Sequence, residues 1–527
     1  MGLCVMIATN QQAKPNEITE FPANYKPHKG QAFIERQVEA RAKQLEFRNL
    51  RLMLNNHAQW GKTKYSAFRL LKNGIRLYDW RQREIKKNPK LKAILLPLVH
   101  QLYVGPDHPR TMQARREFIN MIPDCVEYNA PETSNIIGIF PYKRADGKIT
   151  YRWIIVFKTG ENPEKIVAEN YDDVVIEEAR GMKAQVHKNV MSRIRNIYRT
   201  NNLYIIGTPG SELDPNEPWL TDETGSKKPN YHWQYLLWKD AEAGLNEYLV
   251  FKIDAYSEYR NPYTYPDDEA VERAKKEMDY ETFRRDCLAE FIPFMGGIPN
   301  TPEYAKGEHF RDIADRYRPD RTLYICWDTG STSPAMSVHQ LDDSKWYQLG
   351  EFIGEDEPIL VFGRRALDYV FSQWGDIKTI EAWSGTFASH NRGPRDNESE
   401  ADVLTELFRE RGFNLRVNLV REDEKSIRKA LDIQRSRFRM RHTDGEPLAM
   451  VDVSCTATNA ALSGGWHRAK DKFFKDGTPK PEKDGNYDGI ADTRQILAMS
   501  RVMDAMGRIK TSPDFEDNAP KRTSDWW

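Results

Sequence analysis

The 527-residue chain has only five cysteines, Cys4, Cys125, Cys287, Cys326 and Cys455, and no CxxC pair among them. An odd, dispersed set excludes a disulfide frame and a zinc knuckle and predicts a reduced protein. Internal repeats are missing, and no apolar run approaches the roughly 18 residues that a bilayer-crossing helix needs. The best run, Ala93 to Val99, is interrupted by Pro97. Excess charge of one sign is missing too, since 78 Lys plus Arg face 78 Asp plus Glu. Steering of phosphates by the whole molecule is thereby excluded, and any contact with nucleic acid has to come from local patches. The opening stretch, Met1 to Thr9, has no basic flank ahead of it, so no secretory signal is expected.

What is present is the composition of a folded chain, 39% hydrophobic and 30% charged, long enough for about three domains. The expected fold class is α/β. Residues 1–46 read as an N-terminal arm and an exposed helix, and 47–212 as a core with a mostly parallel sheet. Residues 213–318 read as a lid or linker subdomain with a hinge at Gly296-Gly297, 319–510 as a second α/β domain, and 511–527 as a flexible tail. The runs Leu50 to Leu54, Asp173 to Ile176 and Leu203 to Ile206 are nearly continuous in apolar residues, which points to strands buried on both faces. In the second domain the order reads βββαβαβα, starting with Leu323 to Trp327 and including Ile377 to Ala382, with two further helices after Leu448 to Val453.

Between the first strand and the helix that follows it runs Asn56-His57-Ala58-Gln59-Trp60-Gly61-Lys62-Thr63. This matches GxxxxGK[ST] except that Asn56 replaces the first glycine, and Asn is the side chain that best tolerates positive φ. Loop N–H groups cradle phosphates, Lys62 neutralises their β and γ oxygens, and the Thr63 hydroxyl ligates Mg²⁺. Farther on, the apolar strand Val174-Val175-Ile176 ends in Glu177-Glu178. In a P-loop ATPase the first acid supports Mg²⁺ and the second activates the attacking water. A third strand ends in Gly207-Thr208-Pro209-Gly210, where Thr208 is expected to couple hydrolysis to the next segment.

The second domain carries Asp328 at the end of its first strand, Glu381 in its fourth, and Asp488 and Asp492 one turn apart on its last helix. Strands 1 and 4 of an RNase H-like fold are neighbours, so these acids are expected to converge. Three converging carboxylates repel one another unless a divalent metal neutralises them, and such a cluster suits two-metal phosphodiester hydrolysis with Mg²⁺ or Mn²⁺. Gly330, Ser331 and Ser333 leave a small-residue opening beside Asp328. The run from Lys425 to Arg441, with Lys425, Arg428, Lys429, Arg435 and Arg439, reads as a phosphate track for DNA.

An ATPase followed by a hinge and an RNase H-like nuclease resembles the large terminase subunit of tailed bacteriophages. The resemblance rests on the P-loop lacking its first glycine, the Val-Val-Ile-Glu-Glu strand, the Gly-Thr-Pro-Gly turn, and Asp328, Glu381 and Asp488/Asp492 in order. Tyr103-Val104-Gly105-Pro106 and Glu290-Phe291 are similar to the family's second ATPase motif and its linker. The resemblance implies ATP-driven translocation of double-stranded DNA through a portal protein into a procapsid and cleavage of concatemers. It also implies a small-subunit partner, a homo-oligomeric ring, and action in the cytoplasm of the bacterial host. Whether Asp488 or Asp492 is the third ligand stays open, with Asp488 preferred, and so does the choice of arginine finger among Arg110, Arg115, Arg144 and Arg180. A helicase-like translocase whose second domain only grips DNA is the alternative, and a scaffold with decayed sites is the non-enzymatic one.

Overall fold

The computed structural model describes residues 25–91, 96–124, 126–144, 146–215, 217–278, 280–292, 299–330, 333–342, 345–389, 398–475, 477–483 and 487–500. The arm before residue 25, the Gly296-Gly297 hinge, Ser331 and the tail after residue 500 lie outside the described residues. No helix among the described residues is long and apolar enough to cross a membrane. Two compact units form, one from residues 1–216 and 231–292 and the other from 217–230 and 293–527. The stretch 213–318 therefore does not stand as a subdomain of its own, but is divided between them.

The first unit is built on an eight-stranded sheet. Its strands are β1 (Arg51–Asn56), β2 (Val99–Gly105), β3 (Tyr128–Asn129), β4 (Ile136–Lys143), β5 (Ile149–Thr159), β6 (Asp173–Glu177), β7 (Asn202–Gly207) and β10 (Leu249–Ile253). They lie in the order β10-β1-β7-β6-β2-β5-β4-β3. From β10 to β5 every pairing is parallel, and β4 and β3 close that edge antiparallel. Side chains alternate across the pleat. Leu52, Leu54, Val175, Tyr204 and Ile206 meet α1 (Lys29–Gln44), α2 (Lys62–Lys87) and α3 (His108–Met121) on one face. Met53, Val174, Ile176, Leu203 and Ile205 meet α4 (Ala184–Arg193) and α5 (Trp233–Glu242) on the other. Both faces are covered, which is why these strands read as unbroken apolar runs.

The helix expected to be exposed in the arm, α1, is instead part of this core. Ile34 and Val38 are fully buried, and Glu35 accepts from Arg69 Nη1 at 2.6 Å and Lys72 Nζ at 2.7 Å. Its charge density misled because those acids face cations on α2 rather than water.

The second unit has a seven-stranded sheet. Its strands are β11 (Phe310–Arg311), β12 (Leu323–Asp328), β13 (Ala335–Asp342), β14 (Lys345–Ile353), β15 (Ile380–Gly385), β16 (Asn418–Val420) and β17 (Ala449–Asp452). They lie in the order β11-β17-β14-β13-β12-β15-β16. Strands β12, β13 and β14 form an antiparallel meander, and β15 pairs with β12 in parallel. Odd residues of β12, Leu323, Ile325 and Trp327, pack with α6 (Ile359–Gln373) and α7 (Glu400–Glu410). Even residues, ending in Asp328, lie on the opposite face, where α8 (Glu424–Arg439) and α9 (Asp488–Met499) pack together and α9 touches β12. One hairpin, β8 (Trp219–Thr221) with β9 (Lys227–Pro229), belongs to this unit as well. The two helices expected after β17 are present as a short one, Thr456–Ala460, and α9, with a hairpin of β18 (Arg468–Phe473) and β19 (Pro479–Pro481) between them that the sequence did not announce.

A buried ion cluster ties the first sheet together at the amino ends of its strands. Asp172 accepts from Arg81 Nη1 at 2.8 Å and Arg199 Nη1 at 2.9 Å, and from the His100 N–H at 2.9 Å. Burial would raise the Asp172 carboxyl, but Arg81 and Arg199 outweigh it and hold the pKa below the ordinary value. Asp172→Ala leaves two buried guanidinium groups uncompensated and should cost about 3–5 kcal/mol in urea unfolding. The wild-type contribution should be full above about pH 4, where the unfolded carboxylate titrates, and be lost as pH falls through the lower folded value.

Candidate functional site

In the first unit the order β1-β7-β6 sets β7 between the P-loop strand and the acid-bearing strand. The carboxyl ends of all three strands therefore come together. Lys62, the first residue of α2, donates from Nζ to Thr208 Oγ1 at 2.7 Å and pairs with Glu178 Oε1 at 2.7 Å. The Thr208 N–H donates to Glu178 Oε2 at 3.3 Å, and Thr63 Oγ1 donates to Glu177 Oε1 at 2.5 Å. Burial raises the Glu177 carboxyl, opposed by the Thr63 hydroxyl. These residues border a cavity of about 400 Å³ that also touches Arg110 and Arg180.

The loop reaches this shape differently from the expectation. Asn56 is the last residue of β1, in register with Ile253, and has no positive φ; the left-handed positions are Gln59 at φ 61° and Gly61 at φ 87°. The missing first glycine is not needed because the backbone there is extended. Gly61 is needed, since its left-handed turn opens α2. Ala58, Gln59, Gly61, Lys62 and Thr63 line the cavity, whereas the Asn56, His57 and Trp60 side chains are fully buried.

His57 braces the loop. Its Nδ1 donates to the Ala58 carbonyl at 2.6 Å and its Nε2 accepts from the Asn261 N–H at 3.2 Å, while burial lowers its pKa to about 4. It is neutral at physiological pH and brings no charge to a phosphate. Asn261 Nδ2 donates to the Gln59 carbonyl at 2.7 Å, and Gln31 Nε2 to the Gly61 carbonyl at 3.2 Å. Sequence reading missed both braces, which lie far from the motif in the chain. Of the arginine candidates, Arg115 donates to the Pro131 carbonyl at 2.8 Å and Arg144 lies 3.9 Å from Asp146, while Arg180 stands 3.9 Å from Glu178 and 3.5 Å from Asp286.

In the second unit the expected carboxylates do not all meet. Register pairs Glu381 with Tyr324, four positions before Asp328. At about 3.3 Å per residue that sets the two acids about 13 Å apart along the strands. Neighbouring strands were a correct expectation; a shared end was not. An acid not singled out in the sequence, Glu422 just past β16, also stands near Asp328, and its charge adds to the effect of burial and of Asp492 in raising the Asp328 carboxyl. Gly385, at the end of β15, makes room for it: a Cβ there would lie 2.0 Å from Glu422 Oε2.

The first turn of α9 brings the other acids in. A Cβ on Gly489 would lie 3.4 Å from Asp328 Oδ2, so the helix start sits directly against that carboxylate. Burial and the charge of Asp492 raise Asp328 to about 7. Among the aspartates stands Lys483, from the segment after β19, which pairs with Asp492 and has its pKa raised by Asp492, Asp328 and Asp488, against the effect of burial. Gln495 Nε2 donates to the other Asp492 oxygen at 2.6 Å. Among the described residues, no three His, Cys, Asp or Glu side chains form a metal-holding group as they stand. Lys483 was not singled out in the sequence because nothing local marks it.

The basic run folds as α8 with its cations divided in use. Arg437 is buried, Arg435 Nε donates to the Asn300 carbonyl at 2.8 Å, and Arg439 Nη2 donates to Glu303 Oε1 at 2.7 Å. Lys425 and Arg428 are exposed or half-exposed on its outer side, with Lys429.

Removing the Asn261 side chain takes one hydrogen bond from the loop backbone, worth about 1 kcal/mol. Asn261→Ala should therefore weaken binding of a fluorescent ATP analogue by about fivefold without altering the far-ultraviolet circular dichroism.

No family model and no curated protein sequence matches this chain. The solved structures it resembles include the large terminase from a thermophilic bacteriophage, 13% identical, covering 90% of this chain and 98% of that one at a TM-score of 0.33. The large terminase of bacteriophage HK97 is 11% identical, covering 90% and 95% at 0.38. The g2p large terminase nuclease domain of bacteriophage SPP1, with bound Mn, is 14% identical, covering 38% and 97% at 0.25. Likeness at this level adds no weight to the sites, which rest on the geometry above.

Proposed function

We propose that the chain is a large terminase subunit, a viral DNA-packaging enzyme that hydrolyses ATP in its first unit and cleaves DNA in its second. The observation that carries this reading is that each unit collects acids and one lysine at the carboxyl ends of its central strands. In the first unit Lys62 binds the β and γ phosphate oxygens and leaves Glu178 as it does so. Glu178 is then free to take a proton from the attacking water, and Thr208, released from Lys62, passes the change to the segment that follows it. Thr63 and Glu177 offer a hydroxyl and a carboxylate side by side, a hard-oxygen pair suited to Mg²⁺, which neutralises phosphate charge when bound.

In the second unit Asp328, Glu422, Asp488 and Asp492 are the carboxylates that would hold two Mg²⁺ or Mn²⁺ ions. Such ions activate water and stabilise the leaving oxygen of a phosphodiester. The raised Asp328 supports this fit, because a crowded carboxylate gains most from a divalent cation. Lys425, Arg428 and Lys429 contact the backbone of double-stranded DNA, while Arg435 and Arg439 hold α8 to residues 300–303. A portal protein, a small terminase subunit, a ring on the procapsid and action in the cytoplasm of the infected bacterium belong to the same proposal.

Lys62→Ala should lower ATP turnover by about 10²–10³ and leave Mn²⁺-dependent nicking of a plasmid intact. Asp328→Asn should do the reverse; nicking that survives it displaces the nuclease site from Asp328, whereas a wild type that does not nick at all favours a translocase that only grips DNA. Glu422→Gln should abolish nicking and Glu381→Gln should leave most of it. The opposite order would restore the acid on β15 to the site.

A further inference from the structure

The aspartates of the second unit already have a cation among them. Lys483 pairs with Asp492, and Asp328 and Asp488 both act on it. Its side chain is nonetheless half-exposed, at 54%, against 13% for Asp492. A long flexible stem with one face in solvent can swing its charge out without moving the backbone. The lysine also sits at the rim of a cavity of about 210 Å³ between the β18–β19 hairpin, α8 and α9, lined by Ile427, Phe474 and Pro481 as well as Glu422 and Asp492. Withdrawal therefore has somewhere to go. Two hairpin neighbours are already committed elsewhere: Lys472 Nζ donates to Glu482 Oε1 at 2.8 Å, and Lys480 pairs with Glu424.

We propose that Lys483 is the resident counter-cation of this carboxylate cluster, its ammonium holding the place that a divalent ion takes, so that metal loading and withdrawal of Lys483 are one event. The proposal rests on the nuclease reading of the second unit. Its physical basis is that several carboxylates cannot stay ionised together without a positive charge, and that the ammonium and the divalent ion compete for the same oxygens. With the lysine in place the cluster is stable without metal. A bound metal is opposed by the pairing that has to break first.

The test is Mn²⁺ binding to the full chain, followed by the electron paramagnetic resonance signal of the free ion. Lys483→Met should lower the Mn²⁺ Kd about tenfold, and Lys483→Arg, which keeps the charge, should stay within about threefold of wild type. Lys472→Met, on the same hairpin and cavity but paired with Glu482, should also stay within about threefold. Because loss of the lysine can destabilise the metal-free protein, Tm is read beside Kd: the rise on adding Mn²⁺ should be larger for Lys483→Met than for wild type. An unchanged or weaker Kd for Lys483→Met, or an equal gain for Lys472→Met, overturns the displacement and leaves the metal site standing. If neither wild type nor any variant binds Mn²⁺, the metal site itself is refuted, and this proposal with it.

Discussion

Carboxylates gathered at the ends of parallel strands repel one another, and both units of this chain meet that constraint in the same way. In the first, Lys62 stands against Glu178 at 2.7 Å. In the second, Lys483 stands against Asp492 with Asp328 and Asp488 around it. In each cluster the lysine sets a positive charge against crowded carboxylates, so the cation is part of the folded ground state. The sheets, the loops and the glycines that frame the sites serve to keep these charges at hydrogen-bonding range.

Sheet order does most of that placing in the first unit. With β7 inserted between β1 and β6, Thr208 falls between Lys62 and Glu178 and touches both. The Asp172 cluster fixes the opposite ends of the strands through α2, the start of β2 and the segment before β7, so register cannot slip without breaking a buried charge pair. The loop itself is held from behind by Asn261 and Gln31, which bond its carbonyls and leave its cavity-facing residues to other partners.

The legible parts of the sequence were those with a local signature. The Gly-Lys-Thr turn, the two acids after Ile176 and the βββαβαβα order each follow from neighbouring residue types, and the chain folds them as read. What was not legible depends on pairing at a distance. The separation of Glu381 from Asp328 is a matter of strand register, and a short parallel strand carries no residue that announces its offset. Glu422 comes near Asp328 because Gly385 lacks a Cβ, a contact between positions 37 residues apart in the chain. The charge pattern of α1 likewise read as a solvated face until its partners Arg69 and Lys72 were in place.

The two lysines differ in how they are held, and that difference separates their roles. Lys62 is 9% exposed at the first position of a long helix, where the amide groups and the dipole favour an incoming anion. Moving its ammonium from Glu178 to a phosphate exchanges one anion for another within reach, so the charge stays in the site. Lys483 has no helix behind it and a stem half in water. An arriving divalent cation is of like sign, so it cannot share the aspartates with the ammonium as a phosphate shares Lys62; one of the two cations has to leave. On the proposed reading, the same electrostatic device therefore binds substrate in one unit and is exchanged for metal in the other.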